Sequence, residues 1–144
     1  MASDGAGTSR DEDVLALTGA DLVTVLLFDR MAGRAHRLWS SRPDLFAATG
    51  GKPLSGAGWE FTLQHRSPAL ITRGESAIRA GFPDHGSILG HGIGLIVNLP
   101  LIGAEGCVGS VNCLYRDAGF MTDFDLMIPA VSDWVWRTLH PDQA

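Results

Sequence analysis

Cysteine is nearly absent: Cys107 and Cys113 are the only two in 144 residues. That is too few for a disulfide scaffold, and no zinc-ligand spacing surrounds them. Six residues apart on one straight strand, they would lie roughly 20 Å from each other, beyond disulfide reach. The even separation puts both on the same face of that strand. We therefore expect two reduced, buried thiols without a catalytic role. Basic charge is also short, with 11 Lys and Arg against 16 Asp and Glu and a formal net charge of −5. A nucleic-acid surface needs the opposite balance, so no nucleic-acid partner is expected. No apolar run approaches the ~18 residues of a membrane span, and residues 1–13 lack the apolar core of a secretory signal. Absence from the membrane and a cytoplasmic location are the resulting expectations. A phosphate-binding loop, a nucleophile elbow and paired carboxylates are all missing.

Hydrophobic residues make up 45% and charged residues 19% of the chain, the balance of one globular domain with a single core. Residues 1–10 (MASDGAGTSR) are small and polar and read as a disordered tail; residues 11–140 read as one domain. DEDVLALT (11–18) suits a short helix stopped by Gly19. DLVTVLLFD (21–29) and RAHRLWSS (34–41) form a hairpin. Residues 42–58 are loop-like, WEFTLQHR (59–66) looks helical, and ALIT (69–72) is a candidate strand. GLIVNLPLI (94–102) and CVGSVNCLYR (107–116) make a second hairpin. A final helix starts at Thr122 as N-cap and runs to about Leu139, kinking at Pro129 unless that proline falls in its first turns. The order predicts an α+β domain: an antiparallel sheet with helices packed on one face.

The stretch GIGLIVNLPLIGAEGCVGSVNCLYRDAGFMTDFDLMIPAVSDWV resembles the C-terminal half of a GAF domain. The matching features are Leu99-Pro100-Leu101, the glycines from Gly106 to Gly109, and Phe120, Thr122 and Asp125 before a helix. Upstream, KPLSGAGWEFTLQHRSPALIT is similar to the GAF segment where a glycine pair opens a helix. More narrowly, HRLWSSRPDLF, GKP, FPDH and NLP resemble short bacterial GAF proteins without an output domain. The resemblance implies a loop-covered ligand pocket on the sheet face opposite the helices. Ligands of such domains include cyclic nucleotides, bilins and small metabolites. Some relatives reduce free methionine sulfoxide, but their loop cysteines are replaced here by residues such as Ile88 and Trp59. His91 lies between Gly90 and Gly92, which leaves no neighbouring cysteine for a bilin thioether.

Chemistry-bearing side chains cluster in FPDHGSILGHG, where Phe82, Asp84, His85 and His91 sit among four glycines and Pro83. Glycines let backbone N–H groups approach a ligand, while Asp and His supply both hydrogen-bond polarities. The same stretch also reads as a turn-rich connector in which Asp84 caps a short helix. His85 and His91 do not have the spacing that puts two metal ligands on one helix face, and no metal site is expected. Arg37, Ser41 and Lys52 are the nearest thing to an anion site. Strand parity turns Arg37, Trp39 and Ser41 to one face. Trp59 reads as a pocket edge and Trp39 as core. Asn98 and Asn112 interrupt apolar strands, so they pair across the hairpin or one points at a ligand.

Three functions compete on this reading. The first is a sensory or regulatory module holding a polar or anionic metabolite with Arg37, Ser41, Lys52, Trp59, Phe82, Asp84, His85, His91 and Asn98. The second is a small enzyme in which His85 or His91 works as general acid or base, oriented by Asp84. The third is a structural dimer with a vestigial pocket. No cofactor is identified. Ile128, Val131, Trp134, Val135 and Leu139 form one helical stripe, and Trp136 falls off it. Trp136 therefore needs cover beyond the sheet, which points to a homodimer through Trp134 or Trp136.

Overall fold

The computed structural model of the chain describes residues 12–54 and 68–139. Its strands are β1 Leu22–Asp29, β2 Arg34–Ser40, β3 Gly51–Pro53, β4 Leu70–Arg73, β5 Leu95–Gly103 and β6 Gly106–Tyr115. They pair antiparallel in one six-stranded sheet ordered β3-β2-β1-β6-β5-β4. The central strands β1, β6 and β5 are covered on both faces, which is why their sequences are apolar at almost every position rather than at alternate ones. The tail at 1–10, the 59–66 helix, Trp59 and the side chain of Leu139 lie outside the described residues.

One face of the sheet carries the main core. Val23, Val25, Val97, Leu99 and Val111 pack against Val131, Trp134 and Val135 of the last helix, α4 (Ile128–Leu139). Val14, from the first helix α1 (residues 12–18), completes the layer. Gly19 stops α1 as expected: it takes φ +69°, and its N–H donates to Leu15 O at 2.8 Å. The Tyr115 hydroxyl then ties α1 to the sheet by donating to Thr18 O at 2.7 Å, with its ring stacked on Phe120 at 4.7 Å.

The last helix does not start at Thr122. A 3₁₀ turn, Phe124–Met127, comes first, behind Asp123, whose side chain makes no capping bond. The Asp125 carboxylate is used elsewhere, accepting from Ala69 N at 2.8 Å. Pro129 is the second residue of α4, where its missing N–H has no helical partner to lose, so no kink is required. Trp134 is 8% exposed and meets Trp39 edge to face at 5.0 Å. Trp136 donates its indole N–H to Ile102 O at 2.8 Å. The end of β5 thus satisfies the indole N–H within the chain, while the ring stays partly exposed.

The opposite face is apolar at one end, where Leu22, Ile96 and Leu114 meet Ile78, Phe82 and Ile88. These last residues come from two short helices and their link, α2 (Glu75–Gly81) and α3 (His85–Gly90). The glycine-rich stretch is therefore helical rather than a loop. Gly81, Gly86 and Gly90 do not take positive φ, and Gly92, at φ +78°, ends the helix with its N–H already donated to Leu89 O. Burial of Ile78 and Ile88 outweighs the ~1 kcal/mol helix penalty of each glycine.

Two β-bulges break strand parity. Val25 pairs with Trp39 but Leu26 with Arg37, leaving Leu38 as an extra residue in β2. Leu101 pairs with Gly109 but Ile102 with Cys107, leaving Val108 extra in β6. Cys113 consequently lies in the helix-side core, whereas Cys107 packs beside Leu26, Phe28 and Ala35. The two thiols do not share a face, and both are free.

Two outcomes follow. A Cβ at Gly109 would lie 2.2 Å from Leu26 O, a backbone atom of the neighbouring strand. Gly109→Ala should cost ~2–3 kcal/mol in urea unfolding, whereas Gly86→Ala, with open space around it, should be neutral or gain up to ~1 kcal/mol. Burial also pushes the Cys113 thiol up from 9.0 to about 12 and raises the Tyr115 phenol. The folded state keeps these protons where the unfolded chain releases them, so stability is held below about pH 9 and lost as pH rises toward 12. Cys113→Val should flatten the first part of that loss, measured as the urea midpoint between about pH 9 and pH 10.

Candidate functional site

The apolar end of the second face opens into a cavity of about 260 Å³. Its floor is the sheet: Thr24 and Leu26 from β1, Ile96 and Asn98 from β5, Asn112 and Leu114 from β6. Arg37 and Lys52 close one side from β2 and β3. Phe46, Phe82, Pro83, Asp84 and Ile88 cover it. The two covering segments touch, because the Phe46 ring meets the His91 ring edge to face at 5.3 Å.

The bulge at Leu38 decides which β2 side chains reach this space. Without it, Arg37 and Trp39 would share a face. With it, Trp39 turns to the helix-side core and Arg37 to the cavity. Arg37 also holds its own cover in place. Its guanidinium donates to Ala47 O at 2.8 Å, and its backbone N–H donates to Gly50 O at 2.7 Å. Its Nε is buried and has no hydrogen-bond partner. Burial lowers the Arg37 pKa, and the nearby negative charge of Asp84 partly offsets that; an arginine in this range remains a cation at neutral pH.

A row of polar side chains crosses the floor. Thr24, Asn112 and Asn98 are register partners on three adjacent strands. Asn98 Nδ2 donates to Asn112 Oδ1 at 2.8 Å, and Asn112 Nδ2 donates to Thr24 Oγ1 at 3.0 Å. The Ser110 hydroxyl also donates to Asn112 Oδ1. Asn98 is 1% exposed, and its Oδ1 has no partner. Among the described residues, Arg37 Nε and Asn98 Oδ1 are the two buried side-chain polar atoms left unpaired, and both residues line this cavity.

Of the residues singled out from sequence, Arg37, Lys52, Phe82, Asp84 and Asn98 come together here. Ser41 does not. Its Oγ accepts from Val23 N at 3.0 Å, and its own N–H donates to Val23 O at 2.9 Å, so it extends the strand pairing. His85 and His91 stand behind the cover. The His85 Nδ1 is bound to Phe82 O at 2.8 Å, and His91 backs Phe46. Asp84 occupies the N-cap position of α3 but makes no side-chain capping bond. No cluster of three potential metal ligands occurs among the described residues, and no helix among them is long and apolar enough to cross a membrane. Sequence reasoning missed Thr24, Leu26, Phe46, Ile96 and Leu114 as cavity residues, while the pairing of Asn112 with Asn98 across the hairpin is one of the two arrangements it offered. One signal was present: Thr24, Asn98 and Asn112 are isolated polar positions in otherwise apolar strands.

No family model matches the sequence, and no curated protein does. Solved structures do. The GAF domain of a two-component sensor histidine kinase from Bacillus halodurans superposes with TM-score 0.67 at 11% identity, covering 92% of each chain. A GAF domain/HD domain protein from Geobacter sulfurreducens gives 0.60 at 16% identity over 94% of this chain and 95% of that one. The chromophore-binding domain of a bacteriophytochrome from R. palustris gives 0.62 at 12% identity, over 94% of this chain and 55% of that one. The fold is that of a GAF domain, the α+β architecture expected from the residues.

The floor row predicts unequal costs. Asn112→Ala strips partners from Asn98, Ser110 and Thr24 at once and should cost ~2–3 kcal/mol. Asn98→Ala removes a group that is only half satisfied and should cost below ~1 kcal/mol. Urea unfolding of both variants checks the ranking; a costlier Asn98→Ala would contradict it.

Proposed function

We propose that the protein is a sensory or regulatory module that binds a small polar or anionic molecule between its sheet and the covering segments, in the cytoplasm. The observation behind this reading is the pair of unpaired buried atoms, Arg37 Nε and Asn98 Oδ1, in residues lining one cavity. A buried donor or acceptor left unmade costs ~1–3 kcal/mol, more when charged. A ligand offering an acceptor to Arg37 and a donor to Asn98 removes both costs, so its binding is coupled to groups the free protein holds at a disadvantage. The apolar walls are what small-molecule sites use to bury a ligand's body around a few polar anchors. The likeness to the GAF domain of a sensor kinase and to the chromophore-binding domain of a bacteriophytochrome supports the sensory character.

The general acid–base alternative is weaker. Of Asp84, His85 and His91, only Asp84 lines the cavity, and the His85 ring nitrogen is already engaged with a backbone carbonyl. Catalysis needs the base within hydrogen-bond reach of the reacting proton.

Native mass spectrometry of the purified chain tests the binding reading. One non-covalent small-molecule adduct per chain is expected, lost in Arg37→Met. A bare mass in both proteins contradicts it, provided that the Arg37 Nε–H resonance also stays fixed across a panel of metabolites.

A further inference from the structure

The polar row on the cavity floor has a direction, and nothing outside the row fixes it. Among the described residues, the side chains of Thr24, Asn98, Ser110 and Asn112 bond only to one another. No backbone N–H or carbonyl, whose polarity cannot change, takes part. All four residues are buried. As they stand, Asn98 and Ser110 both donate to Asn112 Oδ1, and Asn112 donates to Thr24 Oγ1. The atom left over is Asn98 Oδ1.

Turning both amides over gives a second arrangement of the same shape. The oxygen and nitrogen of an amide are nearly alike in size, so they exchange places without displacing a neighbour. Asn112 then directs its two N–H groups at Asn98 Oδ1 and Ser110 Oγ, and its oxygen at Thr24. The hydroxyls follow by rotation, since each donates or accepts. Thr24 becomes a donor and Ser110 an acceptor. Three hydrogen bonds break and three form. Asn112 cannot turn alone, because its N–H groups would then face those of Asn98; the two amides turn together. The cavity sees the change at Asn98, where the group left over is a carbonyl oxygen in one direction and an NH₂ group in the other.

We infer that this row is a polarity switch: Asn98 offers the ligand an acceptor or a donor according to what the ligand brings, and Asn112 is the positioning residue through which it turns. This deepens the binding reading above and rests on it. Arg37, the other anchor, has no such freedom, because a guanidinium only donates. The ligand class is therefore fixed at one end and open at the other. It carries a hydrogen-bond acceptor for Arg37 Nε, and for Asn98 a hydroxyl, amine, amide, carbonyl or carboxylate serves alike. With equal numbers of bonds inside the row in both directions, the bond that the ligand makes at Asn98 selects between them.

Asn98→Asp tests the switch without a ligand, by NMR of the whole chain. A carboxylate only accepts, so the substitution puts an acceptor where Asn98 Nδ2 donates. Asn112 should turn over to meet it. The strongest nuclear Overhauser contacts of the Asn112 side-chain N–H protons should then move from the Thr24 methyl group to the Ser110 β-protons. The move should follow ionisation of the introduced carboxyl, read from its carbon-13 shift between about pH 5 and pH 9. Contacts that stay on Thr24 while that carboxyl ionises overturn the inference. A carboxyl that stays protonated throughout overturns it too, because a row free to turn would donate to the charged form. If the variant does not fold, the wild type decides. Its Asn112 N–H protons should contact both the Thr24 methyl group and the Ser110 β-protons, and contact with Thr24 alone overturns the inference. A row that does not turn leaves the protein a small-molecule binder with a fixed acceptor at Asn98. A bare mass in native spectrometry, by contrast, removes the binding reading while these spectra still report whether the amides turn.

Discussion

Leu38 is one residue more than the β1–β2 pairing needs, and the arrangement of the cavity depends on it. A strand offers its side chains two directions in alternation, so an extra residue exchanges the faces of everything beyond it. Here the exchange sends Trp39 against Trp134 in the main core and Arg37 into the space on the other side. Neither residue tolerates the other's place. A tryptophan at the cavity wall would fill it, and a guanidinium between the sheet and α4 would be a buried charge without a counterion. The bulge lets a well-packed face and a polar-lined face share the same strand.

That division separates stability from binding. The helix side is filled by β-branched and leucine side chains from three central strands and closed by α4 and α1. The cavity side carries what a stable core would exclude: a threonine, two asparagines and an arginine. Most of that polarity is satisfied internally through Asn112, which serves Asn98, Ser110 and Thr24 together. Among the described residues, what remains is one donor and one acceptor. Unpaired polar atoms are uncommon in folded interiors, so two in residues of one cavity are more informative than its volume.

Much of the architecture was legible because local chemistry and tertiary packing agreed. The central strands are apolar throughout and bounded by turn residues, Gly19 closes a helix whose acids sit at its start, and Pro129 falls where a helix accepts proline. The failures came where tertiary structure overrode a local rule. Parity failed at Leu38 and Val108, since nothing in RAHRLWS or CVGSVNC announces an extra residue. Glycine content pointed to a loop at 80–92, yet burial of Ile78 and Ile88 makes the segment helical. Histidines drew attention as the reactive side chains of that segment, but helix geometry turns His85 and His91 behind the cover. The quieter signal, lone polar residues at Thr24, Asn98 and Asn112, marked the floor. It needed the strand register to show that they form a row.

The orientation of Arg37 relative to Trp39 is the central claim, and nuclear Overhauser contacts measure it directly in the free protein. The Arg37 side-chain protons should show contacts to the methyl groups of Leu26 and none to Val25, while the Trp39 indole protons show contacts to Trp134. Contacts from Arg37 to Val25 or Trp134 would mean that β2 runs without the bulge, and the cavity would then lose its cation from that strand.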